Sequence, residues 1–80
     1  MRIKSVNPLG KFDLMITFHD NSRRIFHGRD LWKEKKRFEP LKNIMYFNTA
    51  GIHESEHTIS WPFNHLEISP EWLMEWSTPV

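Results

Sequence analysis

KFDLMITFHDNSRRIFH, residues 11–27, carries the clearest structural signal in the chain. Phe12, Leu14, Ile16 and Phe18 alternate with Lys11, Asp13, Met15, Thr17 and His19, the period-two pattern of a strand with one buried face. His19-Asp20-Asn21-Ser22 follows at once. Asp and Asn tolerate left-handed backbone angles, so these residues predict a turn, and Arg23-Arg24-Ile25-Phe26-His27 resumes as the return strand. Upstream, Arg2–Val6 is β-prone and Asn7-Pro8-Leu9-Gly10 reads as its closing turn, which makes the N-terminal half a three-strand meander.

Beyond Gly28 the pattern changes. Asp30 is placed to begin a short helical turn, Lys33–Arg37 reads as a solvated charge run, and Pro40 suits a first helical position. Leu41, Ile44 and Met45 fall at i, i+3 and i+4, predicting a helix over about residues 40–47 that ends at Asn48. Thr49–Glu54 and Thr58–Trp61 are β-prone and flank Ser55-Glu56, predicting a second hairpin. Ser69 is placed to cap a last helix, with Pro70 at its first position, Glu71 favoured by the helix dipole, and Trp72, Leu73 and Trp76 as its apolar stripe. The expected architecture is α+β, one antiparallel sheet of about five strands in the order β-β-β-α-β-β-α, within a single domain over residues 1–80.

Composition supports a small aromatic core. A chain of 80 residues buries only about 60% of its unfolded surface, so large side chains must supply much of the stabilisation. Four Trp, six Phe and one Tyr do so, because each buried ring removes on the order of 150–250 Å² from water. The absence of cysteine excludes disulfides and thiolate chemistry. No apolar run resembles a secretory signal or a membrane span, so a cytoplasmic location without a membrane role is expected.

Charge is distributed unevenly along the chain. All eleven Lys and Arg lie at or before Lys42, where they face five acids, for a balance of +6; residues 43–80 hold five Glu and no Lys or Arg, for −5. Such sorting predicts a basic face, an acidic face or both, unless strands of the two halves interleave and average the signs in space.

One motif calls for a catalytic reading and does not sustain it. His53-Glu54-Ser55-Glu56-His57 matches the His-Glu-x-x-His pattern with which zinc proteases hold their metal, but that chemistry needs a helix to set both histidines one turn apart on one side. Gly51-Ile52 before it and Thr58-Ile59-Ser60-Trp61-Pro62 after it are a β-hairpin setting. His19, His27 and His65 each have an ordinary explanation near a turn or strand end, so no third ligand is evident. Metal binding through His53 and His57 is the least favoured reading. No nucleophile elbow or glycine-rich phosphate loop is present, and Glu54 and Glu56 lack apolar surroundings that would tune a carboxyl pair. No catalytic residues and no cofactor are expected.

A pattern spread along the chain is more informative. I-K-S-V-N-P-L (3–9), F-D-L-M-I-T-F-H-D-N-S (12–22), F-E-P-L (38–41), I-S-W-P (59–62) and L-E-I-S-P-E-W-L (66–73) together resemble a family of small bacterial proteins known as domain of unknown function 2442, over residues 2–76. Trp61-Pro62, then Glu67, Ile68-Ser69 and Leu73, is the most specific part. Asp20-Asn21 stands where the family usually has Asp-Gly, and Glu67 where it more often has Asp. The resemblance implies an α+β domain with one antiparallel sheet and short helices, no known catalytic activity and no established binding residues. It also implies two contexts: some longer members continue into a helix-turn-helix, and others are encoded beside a second small protein in a toxin–antitoxin-like arrangement. Residues up to Val80 hold no DNA-reading helix pair, so a protein partner is expected ahead of operator recognition.

Two functional classes follow. The first is a non-enzymatic regulatory or protein-interaction module, antitoxin-like in character, that uses Trp61, Trp72 and Trp76; three tryptophans exceed what one thin helix needs against a sheet. Opposed charges would also favour a homodimer. The second is a nucleic-acid binder using Arg23, Arg24, Arg29, Lys33, Lys35, Lys36 and Arg37, with Trp32 and Phe38 interleaved for stacking. Asp30 and Glu34 interrupt that run and weaken it.

Overall fold

A computed structural model describes residues 2–29, 31–53, 58–63 and 66–80. Strands β1 (Ile3–Gly10), β2 (Asp13–Phe18) and β3 (Arg23–His27) form the expected meander. Helix α1 (Leu31–Glu34), a 3-10 helix (Lys36–Lys42) and α2 (Ile44–Phe47) follow. Then come β4 (Gly51–Ile52), β5 (Ile59–Trp61), β6 (Leu66–Ile68), α3 (Pro70–Glu75) and β7 (Ser77–Pro79). No helix among the described residues is long and apolar enough to cross a membrane.

The strands divide between two antiparallel sheets, β1-β2-β3-β7 and β4-β5-β6, which corrects the expected single sheet of about five. The physical reason lies at the margins of the meander. One margin, β3, is taken by β7, a three-residue strand containing Pro79 that is too short and too Pro-bound to read as a strand in sequence. The other, β1, carries Pro8 and two register shifts, and the second hairpin pairs with β6 instead. The hairpin predicted on either side of Ser55-Glu56 is present, with Ile52 opposite Ile59. Its connecting residues 54–57 lie outside the described residues, as do Asp30 and His65.

The first turn also falls elsewhere than expected. β1 continues through Asn7-Pro8-Leu9 to Gly10, and the chain reverses at Lys11-Phe12, whose φ angles are 53° and 66°. Two consecutive positive φ values match the twist of a two-residue hairpin but are costly for a bulky side chain such as phenylalanine. Packing holds Phe12 there: its ring meets Trp32 edge-on at 5.2 Å and Phe47 at 5.4 Å, and its carbonyl accepts the Gly28 N–H at 2.8 Å. The second turn is as expected. Asn21 is left-handed at φ 69°, and Asp20 Oδ1 accepts from the Ser22 backbone at 3.0 Å and hydroxyl at 2.6 Å. Those Ser22 donors hold the Asp20 carboxyl below its ordinary pKa.

Between residues 36 and 47 the predicted single helix is broken in two. Pro40 sits inside the 3-10 helix rather than at a first helical position. Asn43 is extended, at φ −79° and ψ 110°, and its side chain caps α2 by accepting the Met45 N–H at 3.0 Å. Asn offers its own side chain as an N-cap, so the chain restarts there instead of running on. α3 begins as predicted, with Ser69 Oγ accepting the Trp72 N–H at 3.3 Å and Pro70 at the first turn.

Both sheets turn their apolar residues onto one core. Leu14, Ile16, Phe18 and Phe26 come from the first sheet, Ile59, Trp61, Leu66 and Ile68 from the second, and Leu31, Phe38, Leu41, Phe47 and Leu73 from the helices. Gly28 marks the tightest point. A β-carbon there would lie 2.5 Å from Cε2 and 2.7 Å from Cζ of the fully buried Phe47 ring. Gly28→Ala should therefore destabilise the protein by about 1–3 kcal/mol through overpacking, read as a lower urea midpoint with unchanged slope. An unchanged midpoint would refute that close approach.

Candidate functional site

The candidate residues do not all serve the roles their types suggest. Trp61 is 2% exposed, and its indole Nε1–H donates to the Phe47 carbonyl at 2.9 Å, so it is a core residue whose polar atom is satisfied internally. Tyr46, next to Phe47, donates its hydroxyl to the Pro62 carbonyl and ties the following loop to α2. Trp72 and Trp76 differ from Trp61. They lie i, i+4 along α3, are half-buried, and stack at 5.8 Å with planes 20° apart.

The basic candidates are scattered by strand alternation. Arg23 lies opposite Thr17 on the outer face of the first sheet, exposed, whereas Arg24 lies opposite Ile16 on the inner side. Arg24 Nε donates to Ser77 Oγ at 2.7 Å, and Nη2 to the carbonyls of Ser77 at 3.0 Å and Met74 at 3.4 Å. It therefore binds the C-terminal end of α3 and the start of β7, as an arginine at a helix end is suited to do. Arg29, Lys33 and Lys36 are exposed on the segment from β3 to the 3-10 helix. Of the two predicted stacking rings, Phe38 is fully buried, and Trp32 is half-buried and packs edge-on against Phe12.

Lys35 and Arg37 join the tryptophans. Lys35 Nζ lies 5.1 Å from the Trp72 ring centroid, and the Arg37 guanidinium lies 5.0 Å from that of Phe38. Phe38 in turn stacks on Trp72 at 5.8 Å. The result is a row of three rings, Phe38, Trp72 and Trp76, with two cations held against it by cation–π attraction. A cleft of about 130 Å³ lies among Lys35, Arg37, Phe38, Glu67, Ser69 and Trp72. Basic residues of the first half thus meet Glu67 of the second at one place, a juxtaposition that neither half of the sequence reveals.

Two histidine arrangements complete the polar inventory. The His53 N–H donates to the Thr58 carbonyl at 2.8 Å across the β4–β5 hairpin, which commits that backbone to extended pairing rather than helix. Its Nε2 lies 3.8 Å from Glu67 Oε1, and His57 lies outside the described residues. On the outer face of the first sheet, His27 stands 3.3 Å from Asp13 Oδ1 through Nδ1 and 3.0 Å from Thr78 Oγ1 through Nε2. The order carboxylate, imidazole, hydroxyl has the connectivity of a nucleophile with its base, but the Asp13 and His27 side chains are 36% and 48% exposed. On an open face water screens each partner, so the contacts act as cross-strand ties joining β2, β3 and β7.

Fold and surface together define a small mixed α+β protein that presents an aromatic row edged with cations. The chain belongs to the family described as Protein of unknown function (DUF2442), whose model matches residues 3–79. No curated protein and no solved structure matches it.

Proposed function

We propose that the protein is a non-enzymatic interaction module, a regulatory subunit of antitoxin-like character, whose partner-binding surface is the Trp72–Trp76 row with Lys35 and Arg37. The observation that carries this reading is the stacking of Phe38, Trp72 and Trp76 beneath two cations. Trp and Arg dominate binding energy at protein interfaces because they combine large apolar area with a directional polar group. A fully buried Phe38 behind them keeps the row rigid, so little side-chain freedom is lost on binding. The cations favour a partner with acidic groups at the rim of its contact.

Nucleic-acid binding is the alternative, and the arrangement supports it less. A phosphate track needs several cations along one line, yet Arg24 is engaged by Ser77 and Met74 while Arg23 lies across the first sheet. Pull-down of the tagged protein from its native host, with and without nuclease, separates the two. A stoichiometric protein that survives nuclease is expected, and Trp76→Ala should weaken its binding by at least 2 kcal/mol, about thirtyfold. A folded Trp76→Ala protein that keeps all its association would overturn the assignment. Recovery of nucleic acid whose affinity falls steeply with salt would replace it with the alternative.

A further inference from the structure

The residues of α3 that flank the tryptophan row line a second and larger space. A partly open cavity of about 270 Å³ is bounded by Ile3, Phe18, Thr58, Ile68 and Leu73, with Glu71 and Met74 of α3 also on its lining. Its walls come from β1, β2, β6 and α3, so it sits where the two sheets and the last helix meet. Met74 is 38% exposed and Glu71 is exposed, which places them toward the mouth.

Two features mark this space as more than a packing gap. It exceeds the cavity of about 150 Å³ that is known to take up benzene in an engineered core, so it has room for a bicyclic ring. Thr58, which is 7% exposed, also lines it, and the Thr58 Oγ1 atom is buried without a hydrogen-bond partner among the described residues. Buried hydroxyls are ordinarily paired, and an orphan calls for a partner from outside the chain. The Oγ1 atom is closed off as the side chain stands, so reaching a bound donor requires a change of χ1 rotamer. Among the described residues on the lining Glu71 is the single charged one, so a ligand whose polar end is an amine is favoured and one ending in a carboxylate is not.

We infer that this cavity is a binding site for a small arylalkylamine, its ring held between Phe18, Ile68 and Leu73, a ring N–H donating to Thr58 Oγ1 and its ammonium beside Glu71. The site goes beyond the proposed partner surface, since its lining includes neither Trp72 nor Trp76.

The test uses tryptamine, indole and indole-3-acetate as probes, titrated into the full chain and followed by methyl and amide NMR. Saturable shifts at Ile3, Thr58, Ile68 and Leu73 are expected, with tryptamine about fivefold tighter than indole-3-acetate through its interaction with exposed Glu71. Glu71→Gln should remove that preference. Thr58→Val, which keeps the shape of the side chain, should leave the protein folded and weaken indole by about two- to tenfold through the lost hydrogen bond. Shifts centred on Trp72 and Trp76, no saturation at millimolar probe, or an unchanged preference in Glu71→Gln would each overturn the assignment. An unchanged indole affinity in a folded Thr58→Val protein would do the same.

Discussion

Phe47→Ala is expected to bring the protein close to unfolding. Phe47 is fully buried; its ring contacts Phe12 at 5.4 Å and Trp61 at 5.8 Å, and it closes over Gly28, which leaves no room there for a β-carbon. Its carbonyl also accepts the Trp61 indole at 2.9 Å. Truncating a core phenylalanine typically costs about 3–5 kcal/mol, because the vacated space collapses only in part. A chain of this length has a total stability of about 4–12 kcal/mol by the usual per-residue range, so the loss is a large share of the whole. The position also holds the left-handed turn at Lys11-Phe12 in place: without the Phe47 ring, Phe12 keeps its unfavourable φ and loses one of the two ring contacts that offset it. Urea denaturation followed by tryptophan fluorescence measures the effect, with Phe47→Leu as the comparison expected to cost much less. A loss below about 1.5 kcal/mol for Phe47→Ala would contradict this account of the core.

Arg24→Ala should cost about 2–3 kcal/mol, the range for removing charge-assisted hydrogen bonds to partly buried acceptors. Three acceptors lose their donor at once: Ser77 Oγ, the Ser77 carbonyl and the Met74 carbonyl. For a protein of this size the corresponding fall in Tm is on the order of 10 °C. Hydrogen exchange adds a local signature, because the His27 and Val80 amides donate to the Trp76 and Arg23 carbonyls across the β3–β7 junction and should exchange faster. Arg24→Lys should recover little, since a single ammonium cannot reproduce the fork of the guanidinium. Were Arg24 a phosphate contact instead, Arg24→Ala would leave stability near the wild-type value and lower affinity for nucleic acid at low salt.

Much of the fold was legible because it rests on local rules. The alternation of Leu14, Ile16 and Phe18 and the turn at Asp20-Asn21 led directly to β2 and β3, and Ser69-Pro70 to α3. Structure and local preference part where tertiary packing overrides the latter. Asn7-Pro8-Leu9-Gly10 has turn chemistry, yet the chain turns three residues later because the Phe12 ring is worth more against Trp32 and Phe47 than its backbone angle costs. Leu66–Ile68 and Ser77–Pro79 are too short to show a period, and the partner of Ser77–Pro79, β3, is distant in sequence. For the surface, residue type pointed to Trp72, Trp76, Lys35 and Arg37 separately, in two competing readings. Their union depends on α3 returning beside the 3-10 helix, a long-range contact that no spacing encodes. Thr58 gave no signal at all, because only the enclosed geometry makes its hydroxyl unusual.

The margins of the larger sheet bear on how the protein behaves at high concentration. β1 and β7 are its outermost strands; one contains Pro8 and two register shifts, and the other is three residues long and includes Pro79. An incoming strand needs a continuous ladder of N–H and C=O groups, and proline and irregular register both break it. Both margins of this sheet are therefore poor templates for edge-to-edge growth from one molecule to the next.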